Sequence, residues 1–369
     1  MSIKFKILHH SKRSKARLGL IFTEHGIIKT PNFVPVGTNG SIKCLDSIQL
    51  NNIGIQLMFC NTYHLFLQPG LNTIEKHGGI HNFINRPLPI ITDSGGFQIF
   101  SLLLQRNTKE EFLNLQSIAK TQITEEGAHF YSYKTGKKFL FTPELSIQAQ
   151  KKIGADIILC FDELNPFYTK RDEIIHSFER THRWEKRSLT EHLKTNFHQG
   201  LYGIIHGGLN IELRKKSSQY LKHLAFDGFC IGGNLGHNKQ TMIELIKNIS
   251  FTLPNDRPIH LLGIGDVPSI EKCIQFGIDT FDSSYPTKAA RHGVFLQINR
   301  HSINLNNTLP STPLQDCLCY TCKNFSFSFI HHLYKAKEPT SLSLLSIHNL
   351  YVMMQIMKNY RELIANDLL

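Results

Sequence analysis

This 369-residue sequence has few long apolar runs and few acidic residues. No uninterrupted hydrophobic stretch approaches the roughly 18 residues of a membrane span. The basic opening from Lys4 to Arg17 leads into no signal-peptide core, so a cytoplasmic protein is expected. Against 41 Lys+Arg stand 29 Asp+Glu, a formal net charge of +12 with His neutral. That excess admits a polyanionic partner through counterion release, although basic charge alone does not identify one. Internal repeats and low-complexity tracts are absent. With 25 Phe and only 19% charged residues, the composition also excludes a disordered chain.

Eight short apolar runs, rich in β-branched or aromatic residues, are present instead: Phe33–Gly37, Gln56–Asn61, Pro89–Asp93, Asp156–Asp162, Leu201–His206, Gly228–Gly233, His260–Gly265 and Thr280–Ser283. Runs that are continuously apolar, without alternation, suit parallel strands buried on both faces. Helical periodicity fills the intervals, as in Pro143–Ile153 behind the candidate cap Thr142 and in Lys239–Ile249. The pattern predicts an α/β fold, a (β/α)8 TIM barrel, with an open doubly wound sheet as the rival. Length allows two domains or one barrel with an insertion. The expected organisation is a catalytic barrel over residues 1–300 with a small β insertion near 120–142, a zinc-binding subdomain over 301–349 and a C-terminal helix over 350–369. A long helical pattern covers Ser343–Leu363.

Three thiols fall within six residues, Cys317-Leu-Cys319-Tyr-Thr-Cys322. In a reducing compartment that density favours a metal over disulfides. A closed tetrahedral zinc site needs a fourth ligand from among His331, His332 and His348. His348 is preferred because residues 344, 347, 348 and 351 share one helix face; a satisfied core histidine is the plain alternative. Four protein ligands leave no open position, which makes such a zinc ion structural.

Barrel chemistry sits at the C-terminal strand ends, which carry Asn61, Asp93, Asp162, His206, Gly233, Gly265 and Asp282. Asp93 opens Asp-Ser-Gly-Gly-Phe-Gln, in which the glycines allow close backbone approach and Phe97 offers a flat wall. Asn61, Gly207-Gly208 and Gly232-Gly233 suit amide contacts to a heterocycle. Helix capping is the plain reading of Asp93 and of Asp162-Glu163, and a structural role that of Asp282. Two carboxylates flanking a sugar carbon are the equipment for retaining substitution. Gly263-Ile-Gly265 lacks the third glycine of a dinucleotide fingerprint. Arg180, Arg183 and Arg187 share a helix face that reads most simply as solvated.

Taken together, Ala16-Arg17-Leu18-Gly19, Pro35-Val36-Gly37-Thr38, Asn61-Thr62-Tyr63-His64-Leu65, Thr92–Gln98, Phe161-Asp162-Glu163, Phe281-Asp282, Pro286-Thr287 and the Cys-x-Cys-x-x-Cys with His348 resemble tRNA-guanine transglycosylase, the queuine tRNA-ribosyltransferase of bacterial type. The resemblance covers nearly the whole chain. It implies exchange of the guanine at wobble position 34 in GUN-anticodon tRNAs (Asp, Asn, His and Tyr type) for a 7-deazaguanine, preQ1 or queuine, in queuosine formation. Asp282 matches the nucleophile at ribose C1′ and Asp93 the general acid/base. The same resemblance implies base contacts from Asp93, Ser94, Gly95, Gly96, Phe97, Asp162, His206, Gly233 and Leu262, with Phe97 and Leu262 as the sandwich. RNA contacts are implied for Gly263, Ile264, Gly265, Asp266, Val267, Pro268 and Ser269, and for Thr287, Lys288, Ala289, Ala290 and Arg291. One structural zinc on Cys317, Cys319, Cys322 and His348 is implied, as is a homodimer with Phe83, Phe325, Phe329 and His332 near its interface. No membrane partner is expected.

Several positions depart from the family pattern. His206 stands where the family has Gln, Leu164 where Cys is frequent, and Lys288 where Arg is. Gly232-Gly233-Asn234-Leu235-Gly236-His237 is one residue short and lacks the acidic end that meets the aminomethyl group of preQ1, which points to the bulkier queuine. A non-catalytic tRNA-binding partner subunit of the same superfamily is the alternative, and the presence of both Asp93 and Asp282 argues against it.

Overall fold

The computed structural model describes residues 3–100, 122–132, 134–165, 169–195, 198–236, 238–299, 302–307 and 317–369. All eight expected strands form: β1 (Asn32–Pro35), β2 (Met58–Cys60), β3 (Ile90–Thr92), β4 (Ile157–Leu159), β5 (Gly200–Ile205), β6 (Gly228–Ile231), β7 (Ile259–Leu261) and β8 (Thr280–Ser283). Each ladder between neighbours is parallel, in the order β1-β8-β7-β6-β5-β4-β3-β2. A single parallel bridge, Val36 to Phe59, joins the two ends of the sheet. The result is a nearly closed barrel, and the doubly wound alternative is set aside.

Closure divides side chains by strand alternation. Val34, Phe59, Ile91, Leu159, Ile204 and Cys230 fill the lumen. Their strand neighbours Phe33, Met58, Ile90, Ile158, Ile205 and Phe229 pack outward under the helices. The helix Pro143–Ile153 forms as expected, with Thr142 accepting the Leu145 N–H at 3.1 Å and Gly154 ending it at φ 80°. The expected β insertion is an antiparallel sheet of Gln122–Ile123, Ala128–Tyr131 and Lys138–Phe141.

One reading needs correction. The face of Arg183 and Arg187 is not simply solvated: Arg183 pairs with Glu125 at 2.6 Å, Arg187 pairs with Glu144 at 2.8 Å and donates to the Glu125 and Glu126 carbonyls at 2.9 and 3.0 Å, and both guanidinium groups tie the insertion to the helix Arg171–Leu193. The basic opening, for its part, is structured. Lys4–His10, Arg17–Thr23 and Gly26–Thr30 form an antiparallel sheet. From it Ile21 and Ile28, with Ile3 just before, enter the lumen cluster at the N-terminal end of the barrel.

Two carboxylates, each one residue before a strand, fasten this sheet. Asp156, ahead of β4, accepts from the His25 backbone N–H at 3.1 Å. It lies 2.9 Å from His25 Nδ1 and 3.0 Å from His81 Nε2, with the two rings stacked at 3.5 Å. Parallel rings aim parallel lone pairs, a geometry that suits two bonds to one carboxylate better than convergence on an ion. Asp279, ahead of β8, receives Arg17 Nε at 3.0 Å and Nη2 at 2.5 Å, while Arg17 Nη1 caps the Asn255 carbonyl.

Beyond the barrel, Val294–Leu296 pairs with Ser302–Asn304, and short helices Tyr320–Asn324 and Phe327–Lys335 lead into one long helix, Pro339–Ala365. That helix runs through the expected division at 349/350. Its earlier part carries His348, and its later part reaches the barrel, where Arg361 donates to the Pro31 carbonyl at 2.7 Å. Among the described residues, no helix is long and apolar enough to cross a membrane.

The Arg17–Asp279 pair has side chains 3% and 0% exposed. Removing one partner of a buried, bidentate pair leaves the other charge unpaired, so Arg17→Met is expected to cost about 3–5 kcal/mol in urea unfolding. A loss under about 1 kcal/mol, the range of an exposed pair, would show that the clamp does not hold the sheet.

Candidate active site

A cavity of about 660 Å3 opens at the C-terminal mouth of the barrel. Asp93, Asp162 and Asp282 all line it, as do Ser94, Phe97, Gly233, Leu262, Gly263 and Ile264. Each aspartate follows or ends a strand, so the barrel itself brings together residues far apart in sequence.

Asp93 is held by three donors. Thr62 N–H reaches Oδ1 at 2.7 Å, and the Asn61 and Gln98 amides reach Oδ2 at 2.6 and 2.8 Å. Burial nevertheless dominates and pushes the Asp93 carboxyl up to about 6, against the pull of these donors and the Gly95 N–H toward the charged form. Asn61, which also lines the cavity, thus gives its amide N–H to a carboxylate. Thr62 and Gln98 were not singled out from sequence; their role depends on a turn of chain that periodicity does not reveal.

Asp282 sits differently. Oδ1 accepts the Gly263 N–H at 2.9 Å and lies 3.1 Å from His260 Nε2. Asp162 accepts the Ser94 hydroxyl on Oδ1 at 3.0 Å, and its Oδ2 is 3.2 Å from His206 Nε2, off the line of a good hydrogen bond. A Cβ on Gly96 would lie 2.8 Å from the Asp162 carbonyl oxygen, so this glycine is what lets the chain pass; Gly95 has φ +84°. Phe97, 61% exposed, presents its ring at the cavity, which Leu262 also lines.

His206 is not among the lining residues and lies buried behind Gly233, as its own N–H bonds Ser217 Oγ at 3.1 Å. Gly95, Gly96, Gly207 and Gly208 are likewise set back from the cavity, and the Gly208 carbonyl is taken by Arg214 Nε at 2.7 Å. Leu164 and Leu235 supply an apolar side to the same end of the cavity, whereas His237 lies outside the described residues.

Of the two segments with implied RNA contacts, only Gly263 and Ile264 line the cavity. Gly265 packs against Ser283. Asp266 caps the helix Val267–Ile274, which carries Pro268 and Ser269, and pairs with Lys239 at 2.6 Å. In the helix Tyr285–Arg291, Thr287, Ala289 and Ala290 are buried, so Lys288 and Arg291 supply the outward charge.

Away from this mouth, Cys317, Cys319, Cys322 and His348 converge with their ligand atoms within 4.8 Å of one another, a group that could hold a metal ion. His348 Nε2 lies 2.7 Å from the Leu296 carbonyl and its ring stacks on Phe295 at 3.5 Å. An Nε2–H bond to that carbonyl leaves Nδ1 directed at the thiols.

Residues 12–369 match the family model described as queuine tRNA-ribosyltransferase. The chain is 52% identical over 378 residues to the queuine tRNA-ribosyltransferase of Protochlamydia amoebophila, covering 99% of this chain and 96% of that one. It is 48% identical over 375 residues to that of Chlamydia felis and 46% over 379 residues to that of Chlamydia trachomatis serovar A, with both chains covered in full in each case. A cavity with three convergent aspartates, and likeness that runs the length of the chain, lead to one conclusion: the protein belongs to the queuine tRNA-ribosyltransferase family.

Proposed function

We propose that this protein is a tRNA-guanine transglycosylase that replaces the wobble guanine of GUN-anticodon tRNAs with a 7-deazaguanine by double displacement. The observation that carries the reading is the placement of Asp93 and Asp282 on one cavity in unequal environments. Retention at ribose C1′ requires two inversions, hence a nucleophile that holds the ribose between them. Asp282 takes that role, and the C1′–N9 bond breaks as the ester to Asp282 forms. Asp93, held at about 6, gives a proton to the departing guanine and recovers one from the incoming base.

The target base must leave its stack to enter the cavity, and Phe97 and Leu262 are suited to flank it. Asp162 and the Gly233 backbone are suited to bind its edge, with Ser94 fixing Asp162. Lys288, Arg291 and the Gly263–Ser269 turn would meet the RNA backbone. The described loop residues Gly232–Gly236 carry no carboxylate to pair with an ammonium, and Leu164 and Leu235 make that side apolar, which supports queuine over preQ1. A homodimer using Phe83, Phe325, Phe329 and His332 completes the reading; Phe329 is 43% exposed.

The Cys3His group is proposed to hold one structural zinc. Two ligands on a tetrahedral zinc, with Zn–S about 2.3 Å and Zn–N about 2.0–2.1 Å, stand about 3.6 Å apart. The three Sγ–Nδ1 distances here are 3.6, 3.4 and 3.3 Å. All four protein positions are used, so the ion would brace the long helix against the Cys loop and leave the barrel chemistry to the aspartates.

Incubation with labelled guanine and unmodified GUN tRNA is expected to put label into the wobble position with wild type and none with Asp282→Ala. Burial raises the Asp93 pKa to about 6; its acid form releases guanine and its base form takes the proton of the incoming base, so guanine release should weaken as pH rises through about 6 and base incorporation from the covalent intermediate as pH falls through it. Asp93→Asn should lower the rate of base incorporation by about 10²–10⁴-fold. No label with folded wild-type protein would move the non-catalytic tRNA-binding subunit to first place.

Elemental analysis should give one zinc per chain in wild type and none in Cys319→Ser, with a lower Tm for the variant; a zinc-free wild type of equal Tm would remove the assignment. Offered together in equal amounts, queuine should outcompete preQ1 for incorporation. Preference for preQ1 would overturn that choice of base.

A further inference from the structure

The alternation that aims Asp282 at the cavity also turns two polar side chains into an otherwise apolar lumen. Thr280 lies two residues earlier on β8, and His260 pairs with it in register on β7. His260 is fully buried, and its ring packs over Phe59 at 6.0 Å and 19°. Nδ1 lies 2.8 Å from Thr280 Oγ1 and Nε2 lies 3.1 Å from Asp282 Oδ1. A carboxylate only accepts, so Nε2 is the donor of that bond. The threonine hydroxyl, fixed on a strand, sets the ring from the other side. With the Gly263 N–H also on Oδ1, that oxygen has two donors, whereas Oδ2 has no hydrogen bond among the described residues.

We propose that His260 is the positioning residue of the nucleophile, and that Oδ2 of Asp282 is the oxygen that bonds to ribose. The inference rests on the exchange reaction proposed above. In the first displacement Oδ2 forms its bond to C1′, the C1′–N9 electron pair leaves with guanine, and guanine takes its proton from Asp93. Oδ1 becomes the ester carbonyl oxygen and keeps both donors. In the second displacement a nitrogen of the incoming base bonds C1′, its proton passes to Asp93, and the Oδ2–C1′ pair returns to the carboxylate. Hydrogen bonds to a carboxylate are stronger than those to an ester carbonyl. His260 therefore favours the return of free Asp282, and its loss should leave more enzyme trapped on RNA.

The test compares His260→Phe, which keeps a ring on Phe59 but removes the donor, with His260→Gln, which retains a donor, and with Thr280→Val, which preserves shape. His260→Phe is expected to lower kcat for guanine exchange by about 10- to 100-fold, the scale of a displaced or unassisted reacting group, with KM for guanine and tRNA little changed. The covalent protein–RNA band on a denaturing gel should rise as a fraction of enzyme. His260→Gln should recover most of the rate, and Thr280→Val should fall between. Unchanged kcat and band in His260→Phe, or a Gln variant as slow as Phe, would reduce His260 to packing. If wild type itself exchanges nothing, the proposed reaction fails first. The geometry is then read from the His260 ring N–H signal in NMR, which Asp282→Ala should expose to solvent exchange if the bond exists and leave protected if it does not.

Discussion

Closure of the parallel sheet governs everything else in this molecule, because it forces consecutive strand residues to opposite sides of one wall. The lumen then has to be filled from alternate positions alone. Near the N-terminal end this is done with Ile21, Ile28 and Ile3 from a separate antiparallel sheet, and in the middle with Val34, Phe59, Ile91, Leu159 and Ile204. Toward the other end the same alternation delivers polar groups, His260, Thr280 and Asp282, which bond to each other. The ladders close through one bridge at Val36 and Phe59, so the geometry of the mouth depends on packing around that seam. The long helix Pro339–Ala365 packs against β1 there and also carries His348 of the Cys3His group.

On that wall the carboxylates acquire different chemistry from their surroundings alone. Holding Asp93 at about 6, where an ordinary aspartate is near 3.8, corresponds to about 3 kcal/mol against its charged form. The hydrogen-bond donors around it do not offset the desolvation. A group poised there exchanges protons readily near neutral pH, which is what alternate departure and arrival of purines demands. Asp282 has a backbone N–H and an imidazole on a single oxygen, an arrangement that fixes orientation and leaves the second oxygen to the cavity. The proposed division of labour between acid/base and nucleophile rests on this difference in surroundings.

The barrel was legible because buried parallel strands are written as uninterrupted apolar words, and all eight formed with ends within a few residues of expectation. The Cys3His group was legible for a different reason: ligand chemistry restricts both residue type and spacing, and His348 shares a helix face with Leu344 and Ile347. Less was visible where meaning depends on a partner from another element. Lys4-Phe5-Lys6-Ile7 alternates like a half-exposed strand, but the sheet it joins is completed only by Arg17–Thr23 and Gly26–Thr30. Asn61 was recognised as polar and placed on the mouth, but its bond to Asp93 spans two strands and no local pattern encodes it. His260 lies inside one of the expected strands; only its pairing with Thr280 across the lumen gives it significance.

His206 replaces the glutamine of the family pattern, and an imidazole cannot reproduce both bonds of an amide. Its position removes much of the difficulty. His206 is buried, set back from the cavity, with its ring nitrogen 3.2 Å from Asp162 Oδ2 and its backbone fixed on Ser217. That nitrogen faces the oxygen off the line of a good hydrogen bond, and Ser94 holds the other oxygen. Arg214, itself fully buried, stitches the carbonyls of Ile205, Gly208 and Asn234 together and so ties the two loops to one side chain. His206 sits behind the cavity, beside the Asp162 carboxylate. This end of the cavity is lined by Gly233, Leu164 and Leu235, three residues with no side-chain hydrogen bonds to offer.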